Sequence, residues 1–223
     1  MRDAFAADLE RLETALRDEG ALVREALRAM LSALERRDVE LAAEVVAFDD
    51  RIDAHHRAIE QAVEALLALQ QPVAGDLRLV LAVQHISRSL ERIGDQCVTV
   101  AKLIQLADGL SEDDGVLTAL HEMGQRARRM TRVALESLER RDVARAEQIE
   151  QLDDPIDDLN RFVFRQAIEL GADPTRREWA IHMVLAARAL ERIGDNAVDI
   201  AERALYLVTG ELRELTDASS EPA

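Results

Sequence analysis

A long internal repeat constrains this chain more than any other feature of its sequence. The segment Leu34–Asp53, LERRDVELAAEVVAFDDRID, matches Leu138–Asp157, LERRDVARAEQIEQLDDPID, at an offset of 104 residues. Further along, ERIGDQCVTVA at Glu91 matches ERIGDNAVDIA at Glu191, at an offset of 100 residues. Two long collinear matches predict an internal duplication in which the second copy is four residues shorter. The fold must therefore be one that a half-length unit can build twice.

The composition indicates that each copy is made of packed helices. Hydrophobic residues make up 48% of the chain and aromatic residues only 3%, while Ala, Leu, Val, Glu and Arg dominate. One helix shows a clear apolar stripe with intervals of three and four residues. The stripe consists of Ile86, Leu90, Ile93, Cys97, Val100 and Ile104. Six helices are predicted, at about residues 3–37, 39–69, 76–107, 116–141, 143–170 and 174–208.

These helices predict an all-α fold of six long helices that form two tandem three-helix bundles. Short turns make sequential helices antiparallel neighbours, so each copy closes on itself. We expect one bundle from residues 1–108, a second from 109–212, and a flexible tail at 213–223, with DGLSEDDG as the connector. An end-to-end and a side-by-side arrangement of the bundles are both compatible with this pattern.

Charge and cysteine content narrow the classes of function. The net charge of −16 disfavours binding to nucleic acid or to anionic lipid. Cys97 is a lone cysteine, so it can form neither an internal disulfide nor a thiolate metal site. The N-terminal residues lack the apolar stretch of a signal peptide, and no run reaches the ~18 apolar residues of a membrane span. We expect a cytoplasmic protein without membrane insertion.

Paired acids are the candidate functional residues. In each pair the two acids are four residues apart, so both side chains lie on one face of a helix, one turn apart. Counting residues outward from each turn places the two pairs of a copy level on adjacent helices. The first copy contributes Asp49, Asp53, Glu91 and Asp95, and the second contributes Asp153, Asp157, Glu191 and Asp195.

Such clusters predict cation binding. Two carboxylates ~5 Å apart repel by roughly 3 kcal/mol at an effective dielectric near 20, so either some are protonated or cations neutralise them. Carboxylate ligands suit Mg, Ca, Mn or oxidised iron, and several acids can bridge more than one ion. The alternative is a solvated acidic face offset by nearby arginines. These are Arg51, Arg57, Arg92 and Arg192.

Other residues qualify this prediction. Gly94 and Gly194 lie between the paired acids, where they make room either for an ion and its ligands or for simple close helix packing. Asp199 is an optional third acid whose counterpart is Thr99. Pro155 interrupts the second acid set, so Asp153 or Asp154 is expected to cap a helix restart or to flank a kink.

The sequence resembles the PhoU family, whose members are accessory regulators of the phosphate-specific transport system. The resemblance rests on LERIGD in a long helix, the paired D/E-x-x-x-D motifs, the turn QPVAGDLR and the doubled three-helix unit. It implies metal binding by the eight acids named above, with multinuclear iron foremost and Mn, Zn or Mg as alternatives. It also implies negative regulation of phosphate uptake and of the phosphate-starvation two-component response. The implied partners are the transporter's ATPase subunit, the sensor histidine kinase and a second copy of the chain.

Two other functions are open. A ferritin-like di-metal oxidase needs Glu-x-x-His pairs, and the nearest feature is Asp53 with His56, which copy two replaces by Asn160. His55 and His56 are expected to be surface residues, and His85, His121 and His182 to be satisfied or exposed residues rather than ligands. A metal-free helical adaptor is the second alternative. The chain has neither a P-loop nor a serine nucleophile elbow, and we predict that it is not an enzyme.

Overall fold

The fold is helical throughout, as predicted. The computed structural model describes the backbone of residues 2–215 and the side chains of residues 5–215. It contains six helical rods, the fifth of which is interrupted. The helices are α1 Arg2–Arg36, α2 Val39–Gln70, α3 Ala74–Leu106, α4 Asp114–Arg140, α5 Val143–Glu147, α6 Glu150–Leu170 and α7 Arg177–Thr209.

The repeated LERRD sequence builds the same helix junction in both copies. Arg37 and Arg141 adopt left-handed backbone conformations, with φ of 55° and 53°, which end the preceding helices. The aspartates that follow cap the next helices, because the side chain of Asp38 accepts from the Leu41 N–H and that of Asp142 from the Arg145 N–H. This shared junction returns the second helix of each copy antiparallel to the first.

The fifth rod departs from the prediction of one continuous helix over 143–170. Between α5 and α6 the backbone tightens to three-residue bonds, with the Gln148 N–H donating to the Arg145 carbonyl. Pro155 lies inside α6 and lacks the N–H that would bond the Gln151 carbonyl. The corresponding residue in copy one is Arg51, and α2 is continuous there.

The expected capping role of the two aspartates in this region is wrong. The cap position of α6 is Ile149, whereas Asp153 and Asp154 lie within the helix itself. Proline therefore does not occupy the first helical position. The other alternative, that they flank a kink, fits the break between α5 and α6, which lies just before the aspartates and leaves their helical spacing intact.

The two copies pack side by side around a shared core. Helices α1, α2 and α3 form one bundle, and α4, α5, α6 and α7 form the other. Helix α3 packs along α7, and α1 packs against α4, which joins the halves. The predicted apolar stripe of α3 is buried along its whole length. The buried residues of both halves form one continuous hydrophobic cluster.

The second copy begins its last helix later than predicted. Residues 171–176 form a turn in which the Thr175 N–H and hydroxyl both donate to the Asp173 carboxylate, and α7 begins only at Arg177. Beyond α7, Arg213 pairs with Glu147, and the Leu215 N–H donates to Glu202. The start of the predicted flexible tail is thus held against the bundle, and the rest of it lies outside the described residues.

Within residues 2–215, no helix combines the length and the apolar character needed to cross a membrane.

Candidate functional site

The acids of the first copy form a cluster, which we call the first acidic face. Asp49 and Asp53 lie on α2, and Glu91 and Asp95 lie on α3. Burial, and then the charges of the other three acids, raise the pKa of Asp49 to about 6. Burial and the neighbouring Asp95 also raise the pKa of Glu91. The structure therefore brings together the four residues that the sequence grouped.

The acids of the second copy form an equivalent second acidic face. Asp153 and Asp157 lie on α6, and Glu191 and Asp195 lie on α7. Burial is the main reason that the pKa of Asp153 rises to about 6, and the charges of Asp157 and Asp195 add to it. Burial also raises the pKa values of the other three members. The kink between α5 and α6 therefore does not disperse the second set.

The two glycines between the acids have different surroundings. A Cβ atom added at Gly94 would lie 2.9 Å from Asp49 Oδ1 and 3.1 Å from Ile52 Cδ1. At Gly194 the nearest atoms are looser, with Ile156 Cδ1 at 3.4 Å and Asp153 Oδ1 at 3.5 Å. Gly94 therefore makes room for both the packed helix and one acid of the first acidic face. At Gly194 an alanine would make only ordinary contacts.

Arginines neutralise part of each face. Arg57 Nη1 lies 3.3 Å from Asp53 Oδ2, and Arg188 pairs with Glu191 one turn away. Sequence reasoning missed Arg188, although its spacing of three residues from Glu191 was the available signal. Arg51, which was considered as a partner, instead places its guanidinium 4.5 Å from the Phe48 ring centroid.

Asp199 belongs to a different environment from the one expected for an optional ligand. Burial raises its pKa, and the charges of Arg203, Arg92 and His85 oppose that rise. Arg92 and His85 lie on α3, whereas Asp199 and Arg203 lie on α7. The residue therefore faces positive charge across the seam between the two copies. Burial also lowers the pKa of His85, helped by the charges of Arg203 and Arg88.

The chemistry of the donor atoms fits hard cations, because each face offers carboxylate oxygens on two adjacent helices. The carboxylates do not, however, lie as close together as the ligands of a bound metal ion would. Among the residues that the structure describes, no three His, Cys, Asp or Glu side chains converge to hold one metal ion. Metal binding at either face would therefore need the carboxylates to rotate towards a common point, and the metal assignment remains a prediction.

A buried acid lies beside the first acidic face. Glu19 of α1 is fully buried, and burial raises its pKa to about 8. Neither of its carboxylate oxygens has a hydrogen-bond partner in the described part of the chain, although the nearby Ser87 offsets some of the pKa rise. His56 Nδ1 lies 2.9 Å from the Ser87 hydroxyl and 3.9 Å from Glu19. Glu19, His56 and Ser87 form what we call the buried polar cluster.

The buried polar cluster shows that the prediction for His56 was wrong and that Glu19 was missed. The side chain of His56 is only 13% exposed, so it is not the surface residue that was expected. Glu19 was missed, although it continues the apolar stripe of α1 with its spacing of four and three residues. That stripe runs Leu12, Leu16, Glu19, Val23 and Ala26. A charged residue in a core position was the signal that could have found it.

The second copy lacks the buried polar cluster entirely. At the positions that correspond to Glu19, His56 and Ser87, it has Met123, Asn160 and Ala187. All three polar members are replaced together, and Met123 and Ala187 are buried in the core. The cluster is therefore a feature of copy one and not of the duplicated unit.

Comparison with known proteins agrees with the doubled architecture. The family model described as the PhoU domain matches the chain twice, over residues 16–104 and 120–204. The chain belongs to the PhoU family. Both acidic faces lie within the matched residues, and each PhoU domain covers most of one bundle.

Similar proteins extend the match over almost the whole chain. One is the "Phosphate-specific transport system accessory protein PhoU homolog" of Clostridium acetobutylicum, which is 31% identical over 97% of this chain and 99% of its own length. The protein of the same name from Pseudomonas aeruginosa is 34% identical over 92% of this chain and 86% of its own length.

Two solved structures share the fold. The crystal structure of PhoU from Pseudomonas aeruginosa superimposes with a TM-score of 0.88 at 32% identity, covering 93% of this chain and all of that one. The phosphate transport system regulatory protein PhoU from Streptococcus pneumoniae gives a TM-score of 0.84 at 31% identity, covering 94% of this chain and 99% of that one.

The two glycines give a matched test of packing at the acidic faces. Gly94→Ala should destabilise the protein by up to about 2 kcal/mol, because overpacking against Asp49 and Ile52 outweighs the gain in helix propensity. Gly194→Ala should stabilise it by about 0.5–1 kcal/mol, because its Cβ fits without displacing a neighbour. Urea denaturation measures both. Equal effects of the same sign would show that the local spaces do not differ.

The buried Glu19 predicts a specific pH dependence. Its pKa is 4.5 when exposed and about 8 in the folded state, so between these values the folded state holds a proton that the unfolded state has lost. Its contribution to stability therefore falls as the pH rises through that window, by on the order of 1 kcal/mol per pH unit. Glu19→Gln should remove this loss and gain on the wild type as the pH rises.

Urea denaturation at pH 5 and pH 8 measures the effect, with Glu25→Gln on the exposed face of the same helix as the control. A stability difference between Glu19→Gln and the wild type that is equal at both pH values would contradict the assignment.

Proposed function

We propose that this PhoU-family chain is a regulatory accessory component of phosphate-specific transport. The observation that carries the proposal is the nearly full-length match to relatives bearing that name, with both copies of the domain present. The fold of the P. aeruginosa and S. pneumoniae PhoU structures supports it independently. We infer that the chain regulates rather than catalyses, since the residues that it gathers at each face are acids with arginine partners.

We propose further that the two acidic faces bind metal ions, with multinuclear iron foremost and Mn, Zn or Mg as alternatives. The pKa values of Asp49 and Asp153, which are raised first by burial and then by the neighbouring carboxylates, support this, because the charged form of one acid in each cluster is disfavoured. A bound cation would relieve that repulsion. Each face offers four carboxylates, and copies on both halves allow two such sites per chain.

We propose that the chain acts in the cytoplasm, as a homodimer, through contacts with the ATPase subunit of the phosphate transporter and the sensor histidine kinase. It would restrain phosphate uptake and the phosphate-starvation response when phosphate is plentiful. The support is the family and the names of the relatives, which describe them as accessory or regulatory proteins of phosphate transport.

The ferritin-like oxidase has weaker support than the regulator. Its candidate ligand His56 turns towards the buried polar cluster, where Nδ1 lies 2.9 Å from Ser87 Oγ. The opposite nitrogen, Nε2, lies 3.5 Å from Glu60 and not on a carboxylate of the first acidic face. A metal-free adaptor would have the same fold as the metal-binding regulator. Measuring the bound metal distinguishes the two.

Removing acids from one face should lower the bound metal by about half if the two faces bind equally. The test variants are Glu91→Ala with Asp95→Ala and, for the other face, Glu191→Ala with Asp195→Ala. Glu40→Ala with Glu44→Ala is the matched control, because these acids are also four apart on an exposed helical surface. Elemental analysis of protein purified without an affinity tag measures the metal. Metal content that is unchanged in the face variants would refute the assignment to the acidic faces, and a wild type without metal would favour the metal-free adaptor.

Deletion of the gene should switch on phosphate-starvation genes in phosphate-rich medium, and the wild-type gene should silence them again. A transcriptional reporter of that response measures the effect. Expression that stays off in the deletion strain would overturn the regulatory proposal, whatever the metal content. Complementation with the gene for the variant Glu91→Ala with Asp95→Ala tests whether regulation needs the first acidic face.

A further inference from the structure

A cavity of about 240 Å³, which we call the seam cavity, lies where the two copies meet. Helices α1 and α3 of copy one and helices α4 and α7 of copy two all contribute to its lining. Its floor is apolar and buried, and it consists of Leu16, Ala82, Val83 and Ile86. An apolar cavity of roughly 150 Å³ already admits a benzene ring, so the seam cavity has room for a larger group.

The duplication builds this cavity a second time, where the other ends of α3 and α7 meet. The repeat relates three wall residues of the seam cavity to three residues that line the second cavity. The pairs are Leu138 with Leu34, Arg141 with Arg37, and Leu207 with Ala107. The second cavity nevertheless has a volume of only about 80 Å³. The same place in the fold is therefore open in one half and nearly filled in the other.

A tryptophan of the chain itself fills the second cavity. Trp179 lines that cavity and is buried, whereas the corresponding residue of the seam cavity is Leu79. Met183 likewise lines the second cavity where the seam cavity has Val83. The larger side chains of copy two take up space that copy one leaves open. The indole of Trp179 therefore indicates which chemical group fits this place in the fold, namely a planar aromatic ring.

The polar residues that border the seam cavity have balanced charge. They are two glutamates and two arginines, Glu13, Arg17, Glu139 and Arg141. Arg141 pairs with Glu13 across the seam, and Arg17 donates to the Thr14 hydroxyl at 2.9 Å. An ion of either sign would meet a like charge there as well as an opposite one. This border therefore favours an uncharged ligand over an anion or a cation.

We propose that the seam cavity binds a small, uncharged, planar aromatic molecule of about the size of indole. The ring lies on the apolar floor, in the place that the indole of Trp179 takes in the second cavity. Guanidinium groups attract the faces of aromatic rings, and Arg17 and Arg141 border the cavity. This inference goes beyond the proposed regulatory function and is independent of metal binding at the acidic faces.

The acids at the border favour a free small molecule over an aromatic side chain of another protein. Glutamate is depleted from the buried centres of protein interfaces, whereas Glu13 and Glu139 border this cavity. A protein that covered the cavity would take the exposed Glu139 out of water, which costs free energy unless a new partner is supplied. A small molecule leaves that carboxylate in solvent.

Isothermal titration calorimetry of the full-length protein with indole tests the proposal. One molecule of indole should bind per chain, with a Kd of about 1 mM or lower. The comparison ligand is 1-hexanol, which is apolar but neither planar nor aromatic. It should bind at least about threefold more weakly than indole, because it lacks a ring face for the arginines.

The test variant is Leu79→Trp, which installs the residue of copy two and should fill the seam cavity. Indole should bind this variant at least about tenfold more weakly than the wild type. Leu79→Phe adds a smaller ring and should weaken binding in the same direction, so the test stays decisive if tryptophan overfills the cavity. The matched control is Leu106→Trp, because Leu106 is on the same helix, 60% exposed and outside both cavities.

Thermal unfolding gives a second measurement. Indole at about ten times its Kd should raise the unfolding midpoint of the wild type and of Leu106→Trp, because a ligand that binds only the folded state stabilises it. The midpoint of Leu79→Trp should not respond to indole. Circular dichroism without ligand confirms that each variant is folded.

Any of four results would overturn the proposal. Two of them are no saturable binding of indole by the wild type, and undiminished binding by both Leu79 variants. A third is equal affinity for indole and 1-hexanol, because the cavity would then not select a ring. The fourth is self-association of the wild type that Leu79→Trp abolishes and Leu106→Trp retains in sedimentation equilibrium, because the occupant would then come from a second copy. None of these results bears on the reporter assay, so they leave the proposed regulatory function standing.

Discussion

The packing of α3 along α7 is the contact on which the rest of the structure depends. Each of these helices is the last of its copy, and each presents one apolar side to its own bundle and to the other copy. Their burial makes one core of two repeats and leaves the acids of both helices at the surface of the bundles. The same seam carries Asp199 and Arg203 of α7 against Arg92 and His85 of α3. Charge as well as apolar contact therefore joins the halves.

The acidic faces lower the stability of the folded protein when nothing neutralises their charge. Asp49 and Asp153 have pKa values near 6 because burial and neighbouring carboxylates disfavour the charged form. A chain selected only for a stable helical bundle would gain by replacing one acid of each set. Both copies keep all four acids with their glycine, although the residues around them have diverged. Retention of a costly arrangement in both halves is the physical reason to expect that it binds something positive.

Divergence between the copies has placed different features on the two halves. Copy one holds the buried polar cluster of Glu19, His56 and Ser87, where copy two has Met123, Asn160 and Ala187. Copy two exposes Phe164 and Ile168, where copy one has glutamates. A duplicated scaffold allows this, because each bundle keeps its own core while its remaining surface changes. The acidic faces are what the halves share, and the buried polar cluster and the exposed Phe164 and Ile168 are what distinguish them.

Local patterns in the sequence were sufficient for the helices, the duplication and the grouping of the eight acids. Helical spacing fixes which residues share a face, and distance from a turn fixes which residues of antiparallel helices lie level. The stripe from Ile86 to Ile104 is buried for that reason. The direction that a side chain takes, and the neighbour that it meets, depend on other helices. His56, Arg51 and Asp199 were therefore placed only by the fold, as was the side-by-side joining of the bundles. The sequence determined the repeated unit and its acidic positions, whereas the tertiary structure decided which charges meet, because contacts between distant helices are set by packing and not by periodicity.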